Sequence, residues 1–336
     1  MSGQDKPRIA FVCAAGPGVG GGHVMRCATL AAALEAQGAD CAFVDRPGVA
    51  EVLSAFAPGL GLTRDADPAD ALVFDDYALE VHDHLSLAKG RPVLVIDDLA
   101  DRFLGADMVL DAGPARTASD YAGLIADGAP LMLGPMNAPV RPDFAEARDF
   151  TLARRRTDPL PRRILVSLGL GDLNGITQRV VHRLLPIAAD MPLDIILGEN
   201  AMSEPSLKQA ALHHPNINLQ INTPNMATLT AQADLAIGAG GSSTWERCVL
   251  GLPSLLLILA PNQRPAARAM ADQGAAIVVD AESESFEASL EAAVAMLLRD
   301  ANLRRRLTEA SAKVCDGRGA DRVAEAFLKL IAARAG

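Results

Sequence analysis

Short apolar runs along the chain are separated by longer stretches in which apolar and polar positions mix, the pattern of strands alternating with helices. Ile9-Ala10-Phe11-Val12-Cys13 is continuously apolar over a strand's length, as expected of a strand covered on both faces. The glycine-rich stretch Ala14-Ala15-Gly16-Pro17-Gly18-Val19-Gly20-Gly21-Gly22 follows, and after it the Ala-rich segment 24–37 has a helix-forming composition. A strand, a glycine hinge and a helix starting at His23 are predicted. Strand-like runs recur at 41–44, 71–74, 92–96, 108–110 and 131–133. The pattern lapses at 148–163, where Arg154-Arg155-Arg156 and Asp158-Pro159-Leu160-Pro161 have a linker's composition. It resumes at 164–168, 195–197, 217–219, 235–237, 255–259 and 275–279, and 320–333 reads as a last helix.

Apolar strands alternating with helices predict parallel, doubly wound sheets, and 336 residues suffice for two domains with their own cores. The fold class is therefore α/β, with two Rossmann-like domains facing each other across a cleft. Their expected limits are 1–150, a linker at 151–163, and 164–336 including the C-terminal helix, whose return to the first domain is the alternative.

Composition narrows the function. Half of the residues are hydrophobic and the formal net charge is -10, which argues against a general nucleic-acid or anionic-membrane surface, so any phosphate site must be local. Cys13, Cys27, Cys41, Cys248 and Cys315 are scattered and never form CxxC, which fits reduced thiols better than disulfides or a zinc site. No apolar stretch approaches the roughly 20 residues of a membrane span, and no signal-peptide stretch precedes the first strand. A cytoplasmic protein without a membrane or nucleic-acid partner is expected. Asp65-Ala66-Asp67 lies ahead of a strand, not at its carboxyl end, and His213-His214 and His82-x-His84 are expected at the surface, so neither metal nor cofactor is predicted. A solvated linker is favoured over an acidic partner for the arginine run.

Candidate chemistry gathers at strand ends. His23 follows three glycines, so a ligand reaches it without meeting a Cβ, and the positive end of the helix dipole favours its neutral, basic form. A packing loop whose histidine caps the helix is the alternative. Asp45 is the one acidic residue placed to close a dinucleotide fingerprint. Asp75-Asp76-Tyr77, Asp97-Asp98 and Asp111 end strands, where open α/β sheets bind ligands, and are expected to line one crevice with His23. In the second half, Ser167-Leu168-Gly169-Leu170-Gly171-Asp172 is a strand and glycine turn. Gly238-Ala239-Gly240-Gly241-Ser242-Ser243-Thr244-Trp245-Glu246 offers hydroxyls and backbone N–H groups that suit a diphosphate, or alternatively a plain N-cap. Glu246 is placed for a ribose diol or for a capping box. Asn262 and Gln263 follow the next strand.

Gly20 to Cys27, Ile96-Asp97-Asp98, Gly134-Pro135 with Arg141-Pro142-Asp143-Phe144, Ser242 to Cys248 with Gly251-Leu252-Pro253, and Asn262-Gln263 together resemble one family. It is the UDP-2,4-diacetamido-2,4,6-trideoxy-β-L-altropyranose hydrolase of pseudaminic acid biosynthesis, itself similar to two-domain GT-B glycosyltransferases. The resemblance runs from about Arg8 to Gly274. It implies metal-independent, inverting hydrolysis of a small-molecule UDP-sugar to UDP and free sugar, serving flagellin or surface-glycan modification. It implies a catalytic set of His23 as the base that activates water, Tyr77 near the sugar and Asn262 as a ligand-side amide. The implied substrate-binding set is Gly21, Gly22, Arg26, Asp98, Gly171, Gly241, Ser242, Ser243, Glu246 and Gln263. The chain departs from the family where Arg and Asp are usual after the first strand, having Val12 and Ala14, and where tyrosine is usual, having Asn137. Those departures are expected to alter sugar contacts and leave the UDP site intact. A GT-B glycosyltransferase with a UDP-sugar donor and a non-catalytic nucleotide-sugar binder are the alternatives, separated by whether UDP release occurs and whether it needs an acceptor.

Overall fold

The computed structural model describes residues 6–16, 19–157, 160–188 and 190–335. Pro17 and Gly18 of the glycine stretch, Asp158 and Pro159 of the expected linker, and the first five residues lie outside them. The chain divides into one unit that ends at Val140 and takes back the residues from Arg318 onward, and a second unit, Arg141–Gly317.

The first unit opens with β1 (Arg8–Cys13), α1 (Gly22–Ala36), β2 (Asp40–Val44), α2 (Val49–Phe56), β3 (Gly61–Thr63) and β4 (Ala71–Asp75). It continues with α3 (Val81–Ala88), β5 (Val93–Ile96), β6 (Met108–Asp111) and β7 (Leu131–Leu133). All seven strands are parallel in the order β3-β2-β1-β4-β5-β6-β7. Strand order reverses between β1 and β4, where Cys13 pairs with Asp75, so the two strand ends open a crevice there. The apolar runs of β1, β4 and β5 are uninterrupted because helices or loops cover both sheet faces; Phe11 stacks on Phe43 with ring centroids 4.9 Å apart. The edge strand β3 lacked a sequence signal because it has three residues, two of them exposed.

The second unit opens with α4 (Pro142–Thr157), β8 (Ile164–Ser167), α5 (Ile176–Leu184), β9 (Leu193–Leu197), α6 (Glu204–His213) and β10 (Ile217–Ile221). Then come α7 (Met226–Gln232), β11 (Leu235–Ala239), α8 (Ser243–Val249), β12 (Ser254–Ile258), α9 (Arg264–Asp272), β13 (Ile277–Asp280), α10 (Phe286–Arg299) and α11 (Ala301–Val314). The sheet order β10-β9-β8-β11-β12-β13 repeats the doubly wound plan, with its switch point between β8 and β11.

Three sequence expectations are corrected. The stretch from 151 to Thr157 is no linker but the last part of α4. Its arginines are spent inside the unit: Arg154 bonds Asp234 Oδ1 at 2.7 Å and the carbonyl of Ala233 at 2.9 Å, and Arg155 bonds the carbonyls of Thr230, Ala233 and Leu250 at 2.7 to 3.0 Å. They satisfy the carbonyls around the end of α7, where a cation also meets the negative end of the helix dipole. The chain ends in α12 (Gly319–Ala335), which packs on α1 and buries Val323 and Phe327 in the core of the first unit, each worth roughly 1.5–3 kcal/mol. The last helix therefore does not count with residues 164–317. His84 corrects a third expectation: it is fully buried against Phe74, its Nδ1 accepting the Gly105 N–H at 3.3 Å. No helix among the described residues is long and apolar enough to cross a membrane.

Candidate functional site

At the switch point of the first sheet the glycine stretch delivers His23 as the second residue of α1, and the N–H of Ala14 bonds the carbonyl of Asp75 at 3.0 Å. Asp75 is fully buried at the end of β4, and its carboxylate holds His23 and Arg26 at once, with the Cys27 thiol donating to Oδ2 at 3.5 Å. Its Oδ1 lies 2.6 Å from His23 Nδ1 and accepts Arg26 Nη2 at 2.6 Å, while Oδ2 accepts Arg26 Nε at 2.6 Å. Burial opposes the charge on Asp75, but the adjacent Arg26 and His23 outweigh it and bring the carboxyl down to about 2. An ionised carboxylate only accepts hydrogen bonds, which assigns the proton of the neutral imidazole to Nδ1 and leaves Nε2 with its lone pair. Arg26, one turn further along α1, also donates Nη1 to Asp98 Oδ2 at 2.7 Å. Burial works against its charge, and the two carboxylates more than restore it.

Tyr77 meets the His23 ring edge-on, with centroids 4.8 Å apart, and donates its hydroxyl to Asp98 Oδ2 at 2.5 Å. Burial and Asp98 push the phenol far above its ordinary range, so Tyr77 holds its proton and serves as a prop for Asp98 and the imidazole. His23, Arg26, Asp75, Tyr77 and Asp98 thus form one connected cluster. The field expected from the helix dipole is secondary, since a buried carboxylate stands 2.6 Å from the ring.

Asp97 and Asp111, expected in the same crevice, turn inward instead. Both are fully buried and share the hydroxyl of Tyr121, at 2.9 Å and 2.7 Å. Asp97 Oδ2 also accepts the Ala100 N–H at 2.7 Å, and Asp111 accepts Arg116 Nε at 2.6 Å while Arg116 Nη2 reaches the Asp98 carbonyl at 2.6 Å. These groups brace the loop that carries Asp98. Asp76 likewise pairs with Arg46 at 2.8 Å.

The second sheet's switch point is built differently. After β8 the loop through Gly171 is fixed by buried Asp172, whose carboxylate accepts the N–H groups of Thr177 at 2.9 Å and Ser203 at 2.6 Å, leaving Gly171 exposed. After β11 the turn Gly240-Gly241-Ser242 leads into α8, and no side chain caps that helix, so the plain N-cap alternative for Ser242 is not realised. Ser243 Oγ accepts Arg247 Nη1 at 3.0 Å. Glu246 receives both Nε and Nη2 of Arg141 on one oxygen, Oε1, each at 3.3 Å. Burial raises its pKa despite Arg141 and Arg247. Arg141 in turn lies over the Phe144 ring, 5.1 Å from its centroid. Gln263 packs on Gly240 and accepts the Leu259 N–H at 3.0 Å; Asn262 is exposed beside it. Asn137 donates to the Leu133 carbonyl at 2.8 Å. Sequence reasoning assigned no role to Asp75 beyond a strand-end residue and none to Arg141 or Arg247, although all three lie in the stretches it singled out.

Residues 177–323 match the glycosyltransferase family 28 C-terminal domain. The spore coat polysaccharide biosynthesis protein SpsG of Bacillus subtilis (strain 168) is 29% identical over 193 residues, which cover 56% of this chain and 56% of SpsG. The chain spans about half, or less, of the length of the curated relatives it matches. Among solved structures, MurG of Acinetobacter baumannii is similar with a TM-score of 0.65 at 17% identity, over 96% of this chain and 99% of MurG. MnaA of S. aureus in its UDP co-structure reaches 0.64 at 13% identity, over 94% of each chain. The chain is GT-B-like in fold: two Rossmann-type units, of which the second matches the family 28 C-terminal domain over most of its length.

Proposed function

We propose that the protein transfers a sugar from a uridine diphosphate donor, the second unit holding the nucleotide and the first unit supplying the base. The observation that carries this reading is the His23–Asp75 pair: a buried carboxylate fixes Nδ1 and leaves Nε2 as a proton acceptor. The family 28 match and the SpsG relationship support a nucleotide-sugar enzyme of glycosyltransferase type.

The acceptor's hydroxyl oxygen attacks the anomeric carbon as the carbon–oxygen bond to the diphosphate breaks. UDP leaves with the bonding pair, and the hydroxyl proton passes to His23 Nε2. Asp75 stabilises the imidazolium formed, and attack opposite the leaving group inverts the anomeric centre. Arg26 balances Asp75 and orients Asp98. The turn at Gly240, Gly241, Ser242 and Ser243 takes the diphosphate, and Glu246, through the oxygen that Arg141 leaves open, takes the ribose diol.

A second reading differs only in the acceptor. With water in place of an alcohol the reaction is hydrolysis, and the histidine loop together with the Ser242 to Cys248 block favours it through the resemblance to the diacetamido-trideoxyhexose hydrolases. Incubation with a panel of UDP-diacetamido-trideoxyhexoses, with and without alcohol acceptors, separates the two. UDP release without acceptor establishes the hydrolase, and release that depends on acceptor establishes the transferase. UDP binding with no release under either condition leaves a binder, and an absence of UDP binding removes the reading altogether.

A further inference from the structure

One buried cation has no part in the chemistry above. Arg247 is 3% exposed and its guanidinium lies so close to Gly238 in β11 that a Cβ there would stand 2.4 Å from Cζ. Glycine is required at that strand position by the arginine beneath it. Nη2 donates to the Ala239 carbonyl at 2.8 Å and to Thr244 Oγ1 at 3.1 Å, Nη1 donates to Ser243 Oγ at 3.0 Å, and Nε has no partner. Every acceptor is neutral. The neighbouring carboxylate, Glu246, receives its hydrogen bonds from Arg141.

Other arginines of this unit that bond carbonyls do so at the ends of helices, where the dipole supplies negative potential: Arg155 beside α7, Arg304 on the last residues of α10, and Arg148 at the ends of α8 and α11. Arg247 belongs to the last turn of α8, but its guanidinium reaches back to Ser243 and Thr244 at the positive end of that helix; no carboxylate accepts a hydrogen bond from it, and the charge of neighbouring Glu246 only partly offsets its burial. Burial lowers its pKa to about 10, which leaves it charged at neutral pH.

We infer that Arg247 is a fixed counter-charge for the diphosphate of the nucleotide, placed under the 240–243 turn and acting through Ser243 and the turn backbone. It is a positioning residue, and the inference rests on the nucleotide role proposed for this turn. A net negative chain thereby presents a local anion site without a lysine or a metal at the ligand.

Calorimetric titrations of the full chain with UDP, uridine and inorganic pyrophosphate, in wild type, R247Q and R247K, test it. R247Q is expected to weaken UDP and pyrophosphate by about tenfold or more and to leave uridine unchanged, while R247K, which keeps the charge, stays within about threefold of wild type. A core tie without an electrostatic role predicts that uridine and UDP weaken together, and that outcome overturns the inference. Where R247Q fails to fold, R247K decides: a loss of UDP affinity of about tenfold or more overturns it. Wild type that binds no UDP refutes the nucleotide reading and this inference with it, whereas UDP binding equal in wild type and R247Q refutes the inference alone.

Discussion

The two units share a strand order and place their polar residues at the same topological position, yet they fill it with opposite chemistry. At the switch point of the first sheet stand one imidazole, one guanidinium, one phenol and two carboxylates, joined by contacts of 2.5 to 2.7 Å. At that of the second stand glycines, hydroxyls and backbone N–H groups, with a guanidinium buried behind them. On the proposed reading the first arrangement accepts and holds a proton, while the second presents positive potential to an anion. A doubly wound sheet fixes where a site lies, and the side chains at its strand ends decide what the site does.

That contrast is open to breakage from either side. The largest effect is expected from Asp75→Asn. An amide has a donor to turn toward His23 Nδ1, which places the imidazole proton on Nε2 and removes the base, so turnover should fall by about 10²- to 10⁴-fold. UDP affinity measured on the same variant should stay as in wild type; parallel losses of turnover and affinity would show that the units do not divide the work.

Arg26→Met leaves Asp75 buried without its strongest partner. Breaking a buried ion pair from one side costs about 3–5 kcal/mol, to be read from denaturant unfolding of the full chain. A loss below about 1 kcal/mol would mean that Asp75 is solvated well enough not to need Arg26.

On the other side, Glu246→Ala should weaken UDP by on the order of 1.5 to 3 kcal/mol, through loss of a charge-assisted hydrogen bond. Unchanged UDP affinity would take Glu246 out of the nucleotide site and leave it a structural partner of Arg141.

The smallest effect concerns pH. Burial of the His84 imidazole, aided by Arg102, lowers its pKa to about 4 from 6.5. Between those values the unfolded chain binds the proton and the folded one does not, so stability is lost as pH falls through that window. Going from pH 7 to pH 5.5 should cost the first unit about 1 kcal/mol, visible as a lower melting temperature. His84→Asn should flatten that dependence; a slope unchanged in the variant would assign it to other groups.

How much of this was legible in the sequence follows from the range of the interactions. The first strand, the glycine stretch and His23 lie side by side in the chain, so an apolar run and a run of glycines reveal them. The same holds for β11 with its glycine turn. The helix α4 was illegible because its last turns are fixed by carbonyls 75 to 95 residues away, and local composition there resembles a linker. The Arg141–Glu246 pair, 105 residues apart, appears in sequence only as two unconnected motifs. Asp97 and Asp111 end strands as Asp75 does, and only the position of Tyr121 shows that they brace the loop and leave the crevice to others. His84 was misplaced because nothing in its local pattern reveals that Gly105 and Phe74 close over it.

The division of labour between the units is tested most directly by His23→Ala, with UDP calorimetry and turnover of a UDP-diacetamido-trideoxyhexose measured on one preparation. The expected result is turnover lowered by about 10²- to 10⁴-fold with UDP affinity within about threefold of wild type. Turnover within a few-fold of wild type, or a loss of UDP affinity as large as the loss of rate, would contradict the account.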